Sequence, residues 1–462
     1  MNKGCFKQTA VLLAGMFFWN LPLASCADLS VQEAVDLALA QNTAIKITQK
    51  GEDTAKAALK SARGANSVAL TASGSLSAAK KSGASRDTSS GAGITAKLPV
   101  YTGGKNEAAI DSAELGVDAA RLNTEREKEN IRLNVITAYY DVLEAQKTVR
   151  VDQESVDNYQ AHLTNVQQLY AAGSKARIDV LRSSVELSNA HQTLIKAQNT
   201  YEVNVSTLKN ILRLGRDEPL HLTEDFSYAA FAPAMNTCLD YARLNRKDLL
   251  VDQYTLRQKE LAVTGAKAGW LPSLTFSLGM DVSHDFQPVA AGSSEYTAGM
   301  NLTWNVFDNG VTQAAVDTAV TARDVARLTL QKDQEDIDLA VRQAYYNMKE
   351  AEKRFVSTQD AVKQAEEDYY IAREKYRAGE GLMLDIIDAQ LALSTAQLNF
   401  ISAQYDYARY KATVENAMGL GIGETPENAA PGRTSAAASP AGARPMPGAA
   451  DAPVSSENEV TQ

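Results

Sequence analysis

The sequence predicts a mainly α-helical protein that carries transmembrane β-hairpins and is built from two tandem structural repeats. Three observations predict this class: an internal duplication through most of the chain, two helical patterns of about 70 residues each, and four stretches in which apolar and polar residues alternate. Each repeat therefore combines long α-helical hairpins with one β-hairpin.

The duplication is visible as residues that return at a nearly constant spacing. Gly173 returns as Gly379, 206 positions later, and Ala38 returns as Ala242, 204 positions later. Self-similarity over so long a spacing marks a duplicated structural unit. The predicted segments are a first repeat at residues 28–214, a connector at residues 215–236 and a second repeat at residues 237–424.

The two ends of the chain differ from the repeats. Residues 1–27 have the basic start, the short apolar run and the small-residue cleavage zone of an export signal. The segment Leu-Ala-Ser-Cys ending at Cys26 also looks like a lipidation signal, and cleavage after Ala27 is the competing interpretation. Residues 425–462 are rich in Pro, Ala and Ser, which predicts a disordered tail.

The composition excludes several classes of function. The net charge of −10 argues against a nucleic-acid surface, and the four histidines have no metal-ligand spacing. We find no nucleophile–base pair and no glycine-rich phosphate loop. The sequence therefore predicts neither a cofactor nor an enzyme, and the interpretation as a periplasmic enzyme lacks a candidate active site.

The predicted strands lie in two pairs, at about residues 66–78 and 89–101 and at about residues 270–284 and 295–307. Each strand has about ten residues with one apolar face and one small-polar face, which suits a membrane-spanning barrel strand. Trp304 would then be an aromatic residue at the membrane interface. An ordinary sheet with one wet face is the alternative interpretation.

The long helices are predicted by the near absence of residues that break helices. Between Gly104 and Gly173 there is no proline and one glycine, and the stretch from Gly310 to Gly379 has neither inside it. Seventy helical residues extend about 100 Å. Shorter helices return after each turn, so the tips of the hairpins lie near residues 173 and 379.

Four strands cannot form a closed barrel, because the smallest barrels have about eight. If these hairpins enter a membrane, several chains must contribute strands to one barrel, since open strand edges are not tolerated in hydrocarbon. Two, three or four chains would give eight, twelve or sixteen strands, and periodicity does not choose among these numbers.

Several motifs, arranged in order and partly twice, resemble the TolC family of outer-membrane efflux proteins over most of the chain. They are Ala-x-x-x-Asn at 38–42, Ala-Lys-Ala-Gly-Trp-Leu-Pro-Ser-Leu at 266–274, Asn-Val-Phe-Asp-Asn-Gly at 305–310, the Ala-Tyr-Tyr helix motif, and Tyr-x-x-Gly followed six residues later by Asp.

The resemblance implies a homotrimer in the outer membrane of a Gram-negative bacterium, extending into the periplasm. A twelve-stranded β-barrel would continue into an α-helical barrel that spans the periplasm. The trimer would be the passive exit duct of a tripartite efflux or type I secretion system. Its partners would be outer-membrane lipid, a periplasmic adaptor (membrane fusion) protein and an inner-membrane pump of the ABC, RND or MFS type.

The resemblance also implies two sets of functional residues. The periplasmic aperture would involve Asp385, Asp388, Asp179 and Tyr376, with Tyr376 and Asp179 linked in the closed state. The adaptor would dock at the exposed turns Ala172, Gly173 and Ser174 and Ala378, Gly379 and Glu380. The basic residue that the family often has two positions after the tip glycine is Gly381 here, so at least one expected closing salt bridge is absent.

Two alternatives stay open at this point. Asp179 and Asp385 each lie at a helix start, where an aspartate caps free backbone N–H groups. Asp388 differs, because its counterpart in the first repeat is Arg182. For the whole chain, the alternative is a soluble or surface-attached structural coiled-coil or adhesive protein.

Overall fold

The computed structural model describes residues 28–80, 86–287 and 291–423. The predicted export signal with Cys26 and the predicted tail lie outside the described residues. The helices are α1 (Val31–Gln41), α2 (Thr43–Ala65), α3 (Lys105–Ala171), α4 (Arg177–Leu212), α5 (Met235–Asn245), α6 (Lys247–Lys267), α7 (Val311–Arg377) and α8 (Met383–Met418). The strands are β1 (Asp28–Leu29), β2 (Ala69–Lys80), β3 (Arg86–Tyr101), β4 (His221–Leu222), β5 (Ser273–Gln287) and β6 (Ala291–Thr303).

The duplication is expressed in the helix boundaries. Helices α3 and α7 both have 67 residues, and α4 and α8 both have 36. The first residue of α7 lies 206 positions after that of α3 (311 − 105), and the same holds for α8 and α4 (383 − 177). At 1.5 Å per residue α3 and α7 are each about 100 Å long.

Helix starts follow from local chemistry. Ser30 and Glu33 form the capping box that the sequence predicts, with the Ser30 side chain accepting from the Glu33 backbone and Glu33 accepting from the Ser30 backbone. The long helices begin after Gly104 and Gly310, whose φ values of 88° and 89° lie in the left-handed region that glycine adopts at little cost.

The four long strands form one antiparallel sheet in the order β2-β3-β5-β6. The central pair, β3 and β5, joins the two repeats, and β2 and β6 are its edges. Apolar side chains align on one face, as Phe276 opposite Met300 and Met280 opposite Tyr296 do across β5 and β6. A sheet of this kind has one apolar and one small-polar face, as the alternation predicts.

The last strand is shorter than the sequence suggests. β6 ends at Thr303 instead of near residue 307, so Trp304 lies just outside it, and its indole Nε1 donates to the backbone oxygen of Trp270 at 3.0 Å. The following residues form the turn into α7, where the Asp308 carboxylate accepts from the backbone N–H groups of Gly310 and Thr312 at 3.1 and 2.7 Å. These bonds satisfy backbone N–H groups at the start of α7.

The helices pack side by side in a fixed order. Away from the sheet the order is α4–α3–α8–α7, and near the sheet it is α2–α3–α6–α7. The two short helices α1 and α5 cover α3 and α7 at equivalent places and contribute equivalent buried side chains, Ala34, Val35 and Ala38 in one repeat and Cys238, Leu239 and Ala242 in the other. None of the described helices is both long and apolar enough to cross a membrane.

The connector between the repeats is packed against the helices. Its strand β4 pairs in parallel with β1. The Tyr139 hydroxyl of α3 donates to the backbone oxygen of Leu29 at 2.9 Å and accepts from the backbone N–H of Glu224 at 3.2 Å. Since Tyr139 is fully buried, the start of the described chain and the connector are both held against the middle of α3.

Candidate functional site at the helical tips

Both hairpin tips are built on a glycine that ends a 67-residue helix. Gly173 and Gly379 have φ values of 72° and 80°, the left-handed conformation that the sequence predicts. The N–H of Ser174 donates to the backbone oxygen of Leu169 at 2.9 Å. In the second tip the N–H of Glu380 donates to the backbone oxygen of Lys375 at 3.0 Å. These bonds satisfy carbonyl groups at the helix end.

The six predicted docking residues are all exposed at these turns. They are Ala172, Gly173, Ser174, Ala378, Gly379 and Glu380. The two glycines have open space around them, so an added methyl group would meet no atom within 4 Å. The two tips therefore present small, rigid and accessible surfaces.

Gly381 has a geometric reason for lacking a side chain. A Cβ atom there would lie 2.9 Å from the backbone nitrogen of Tyr376 and 3.2 Å from two atoms of Lys375. Its N–H donates to the oxygen of Lys375 at 3.1 Å, which holds the turn against the end of α7. The basic residue that the resemblance implies at this position does not fit this turn.

Tyr376 is only 2% exposed, and no hydrogen bond joins it to Asp179 in the described chain. The Tyr376 hydroxyl is buried and has no hydrogen-bond partner in the part of the chain that the structure describes. Burial raises the pKa of Tyr376, and the nearby Asp179 carboxylate adds to this effect. Asp179 instead accepts from the backbone N–H of Ala176 at 3.3 Å and caps α4.

The side chain that does contact Tyr376 from the other tip is Lys175. Its Nζ lies 4.5 Å from the centroid of the Tyr376 ring, which is within the range of a cation–π interaction. Sequence reasoning missed this residue, although Lys175 is the counterpart of Gly381 at the 206-residue offset (381 − 206). The lysine of the first repeat thus lies beside the tyrosine of the second.

His162 completes the surroundings of this ring. Its imidazole lies 5.4 Å from the Tyr376 ring, centroid to centroid, and its Nε2 is buried without a partner among the described residues. Burial lowers the pKa of His162, so the imidazole is neutral at pH 7. The positive charge at Tyr376 therefore comes from Lys175.

The two acidic residues of α8 have different environments. Asp385 caps the helix by accepting from the backbone N–H of Leu382 at 3.0 Å, so its capping role is real. Asp388 lies on the next turn, is exposed, and makes no ion pair with any described residue. Burial raises the pKa of Tyr159 on α3 to about 12, and Asp388 is among the nearby anions that add to it. Asp388 does not cap a helix, so helix capping does not explain why this position carries a carboxylate.

The described residues contain no group of three or more histidine, cysteine, aspartate or glutamate side chains that could hold a metal ion. The geometry at the tips combines exposed carboxylates, rigid glycine turns and one lysine–tyrosine contact. Such a set can attract cations and hold two hairpins together.

Comparisons with known proteins agree with this architecture. The outer membrane efflux protein family matches residues 34–212 and 238–420. Nodulation protein T of Rhizobium leguminosarum bv. trifolii is 22% identical over 316 residues, which cover 67% of this chain and 68% of the relative. Toxin and drug export protein A of Aggregatibacter actinomycetemcomitans is 24% identical over 326 residues, with coverage of 67% and 68%.

The fold is also that of a solved channel. The crystal structure of the Campylobacter jejuni CmeC outer membrane channel superposes with a TM-score of 0.76 at 20% identity, covering 86% of this chain and 88% of that one. The alternative of a coiled-coil adhesive protein finds no support in these matches. Two matched segments, one for each repeat, cover most of the sequence, and the chain belongs to the outer membrane efflux protein family.

Proposed function

We propose that three copies of this chain form the passive exit duct of a tripartite efflux or type I secretion system. As a member of its family the chain resides in the outer membrane of a Gram-negative bacterium and extends into the periplasm. The observation that carries the proposal is the four-stranded sheet, which has two free edges and an exposed apolar face.

The sheet supports assembly through the chemistry of its edges. Within one chain β2 and β6 each pair on one side only, so each leaves a row of backbone N–H and C=O groups without partners. Lipid cannot hydrogen-bond these groups, and a barrel is the only sheet that leaves none unpaired. Three four-stranded sheets joined edge to edge make a barrel of twelve strands, which is within the range of outer-membrane barrels.

The helices support a duct that continues beyond the ends of the strands. Helices α3 and α7 leave the sheet after β3 and β6 and extend about 100 Å from it. Four neighbouring helices in a single layer leave one side of each helix without a second layer to cover it. A closed ring of three such layers surrounds a cavity, and a substrate can pass along it without a chemical step.

The tips supply the aperture of this duct. In a trimer, Asp385 and Asp388 bring six carboxylates around one axis, which attracts cations and disfavours anions. The contact between Lys175 and Tyr376 joins the two hairpins of each chain beside this ring. We assign it the closing role that the resemblance gives to a basic residue at the position of Gly381.

The exposed glycine turns are the proposed contact with a periplasmic adaptor, which links the duct to a pump of the ABC, RND or MFS type. Small, open surfaces around Gly173 and Gly379 allow a partner backbone to approach closely. One relative is named for toxin and drug export. We propose that this duct likewise passes either small compounds or polypeptides, with the choice made by the pump.

The test is purification in detergent followed by mass measurement and recording in planar bilayers. A duct requires detergent, migrates as a trimer and conducts ions through a pore. A water-soluble monomer that produces no conductance would refute the proposal.

A further inference from the structure

We propose that neighbouring copies meet through α7 of one chain and α4 of the next, in the register of the α3–α8 contact inside each chain. The pair Asp338 and Lys209 of the next copy fixes that register. This inference rests on the proposed assembly and adds the residues that specify it.

The duplication identifies the two surfaces that must meet. Helix α7 is the counterpart of α3, and α4 is the counterpart of α8, at an offset of 206 residues. Inside the chain α3 packs on α8, which joins the first repeat to the second. The equivalent contact joins α7 to α4, but these helices lie at opposite ends of the layer α4–α3–α8–α7. Only another copy can bring an α4 to this α7.

Equivalent side chains show that the faces of α7 and α4 at the ends of the layer are not covered by a helix of the same chain. Ile401 on α8 is 9% exposed and belongs to the cluster that α3 completes, whereas its counterpart Ile195 on α4 is 65% exposed. Tyr140 on α3 is half-buried, with its ring 6.0 Å from that of Tyr405 on α8. Its counterpart Tyr346 on α7 is 59% exposed. The same residue types are covered at the inner contact and bare at the two edges.

The exposed apolar residues on both faces follow the spacing of a coiled-coil seam. Steps of 3, 4 or 7 residues and their sums keep side chains on one stripe when the period is 3.5. On α7 residues with this spacing are Val325, Leu328, Leu339 and Tyr346, and on α4 they are Leu181 and Ile195. The α8 counterparts of these two α4 residues, Ile387 and Ile401, are packed inside the chain.

The charges supply the strongest argument for one register. Inside the chain Arg132 on α3 forms an ion pair with Glu415 on α8 at 2.9 Å. The counterparts of these two residues are Asp338 (132 + 206) and Lys209 (415 − 206). Both signs are exchanged, so attraction is preserved, whereas a single exchange would bring like charges together.

Two further polar contacts keep complementary partners at the edges. Arg126 donates to Asn416 at 3.2 Å, and Asn158 donates to Gln390 at 3.0 Å, in both cases from α3 to α8. The counterparts of the first pair are Lys332 and Asn210, and those of the second are Gln364 and Ser184. Each edge pair can still form a hydrogen bond.

Lys209 has an unmet charge within its own chain. Its Nζ donates to the backbone oxygen of Arg216 at 3.0 Å, and it forms no ion pair with any described carboxylate. Asp338 is paired with Arg243, so the proposed contact is a row of Arg243, Asp338 and Lys209 of the next copy. Two inner contacts are not repeated at the edges, since the counterpart of Arg409 is the exposed Val203 and that of Tyr405 is Asn199.

The experiment uses the full chain with Lys209→Cys and Asp338→Cys, treated with a short bismaleimide in outer membranes. We expect covalent dimers and trimers on a denaturing gel. The thiol of Cys238 is buried, and burial raises its pKa to about 11, so it does not compete.

Two control pairs define the register. Lys209→Cys with Gln331→Cys places the second cysteine two turns away on the same face of α7, and it should cross-link severalfold less. Arg132→Cys with Glu415→Cys lies within one chain, so it should cross-link while the band stays at the mass of the monomer. A conducting trimer without a 209–338 cross-link overturns this inference and leaves the duct intact. Absence of both trimer and conductance overturns the duct itself.

The native side chains give a second measurement. Lys209→Asp places two carboxylates at the contact and should lower the temperature at which the trimer dissociates, while Lys209→Arg should not. Equal dissociation temperatures for the two variants would overturn the proposed ion pair.

Discussion

Replacing Lys175 with methionine should loosen the closed tip of the duct. The methionine keeps an apolar stem of similar length but removes the ammonium group, whose nitrogen lies 4.5 Å from the centre of the Tyr376 ring. The change therefore tests the charge of the contact rather than its packing.

The magnitude follows from the number of copies. An ammonium over an aromatic ring at a partly exposed site contributes about 0.5–1 kcal/mol. If three such contacts open together, the closed state loses about 1.5–3 kcal/mol, and the ratio of closed to open ducts falls roughly 10- to 150-fold. A single independent contact would give only a change of about two- to fivefold.

The assay is single-channel recording in planar bilayers, with the open fraction measured at one voltage and salt concentration. Tyr376→Phe is the matched control, because it keeps the ring and removes a hydroxyl that has no partner among the described residues. Tyr376→Leu removes the ring and should behave like Lys175→Met. An unchanged Lys175→Met duct, or a Tyr376→Phe duct that opens as readily as Tyr376→Leu, would refute the reasoning.

Three further predictions concern the tips and the middle of the helices. Asp388→Ala should weaken the block of single-channel current by divalent cations, and unchanged block would remove Asp388 from the aperture. Gly379→Ala should destabilise the tip by about 1–2 kcal/mol, because its φ of 80° is strained for alanine. The measurement is backbone hydrogen exchange, which should be faster at the end of α7. Burial raises the pKa of Asp406, but the hydrogen bonds and charges of Arg409 and Arg354 outweigh it, so the pKa lies below its usual 3.8. The ionised Asp406 therefore stabilises the folded protein fully above pH 3.8, and this stabilisation is lost as the pH falls through the lowered pKa. In Asp406→Asn, the loss of helical circular dichroism on acidification should be less steep than in the native protein.

Much of the helical framework could be predicted because its signals are local. Long runs without proline or glycine define α3 and α7, and Gly173 and Gly379 end them in the conformation expected of a helix terminus. The constant offset of 206 residues makes each repeat a check on the other. The capping box at Ser30 likewise needs only residues three positions apart.

The contacts at the site could not be predicted, because they depend on how the two repeats meet. The interaction of Lys175 with Tyr376 joins turns that are about 200 residues apart in the sequence, so no local sequence pattern predicts it. The early end of β6 is similar, since Trp304 leaves the sheet to reach Trp270. The Asp179 carboxylate caps its own helix, as its position at the helix start predicts, and its link to Tyr376 in the closed state stays a prediction.

The position of Leu29 bears on where an acyl group on Cys26 could be placed. Leu29 is bound to Tyr139, which lies 34 residues along α3 from Lys105 and so about 50 Å from the sheet. Three residues of extended chain cover only about 10 Å, and an acyl chain adds about the 15 Å of one leaflet. An acyl group on Cys26 would therefore fall short of the bilayer that holds the strands. We predict cleavage after Ala27, and an acylated Cys26 found by mass spectrometry of the purified protein would contradict this reasoning.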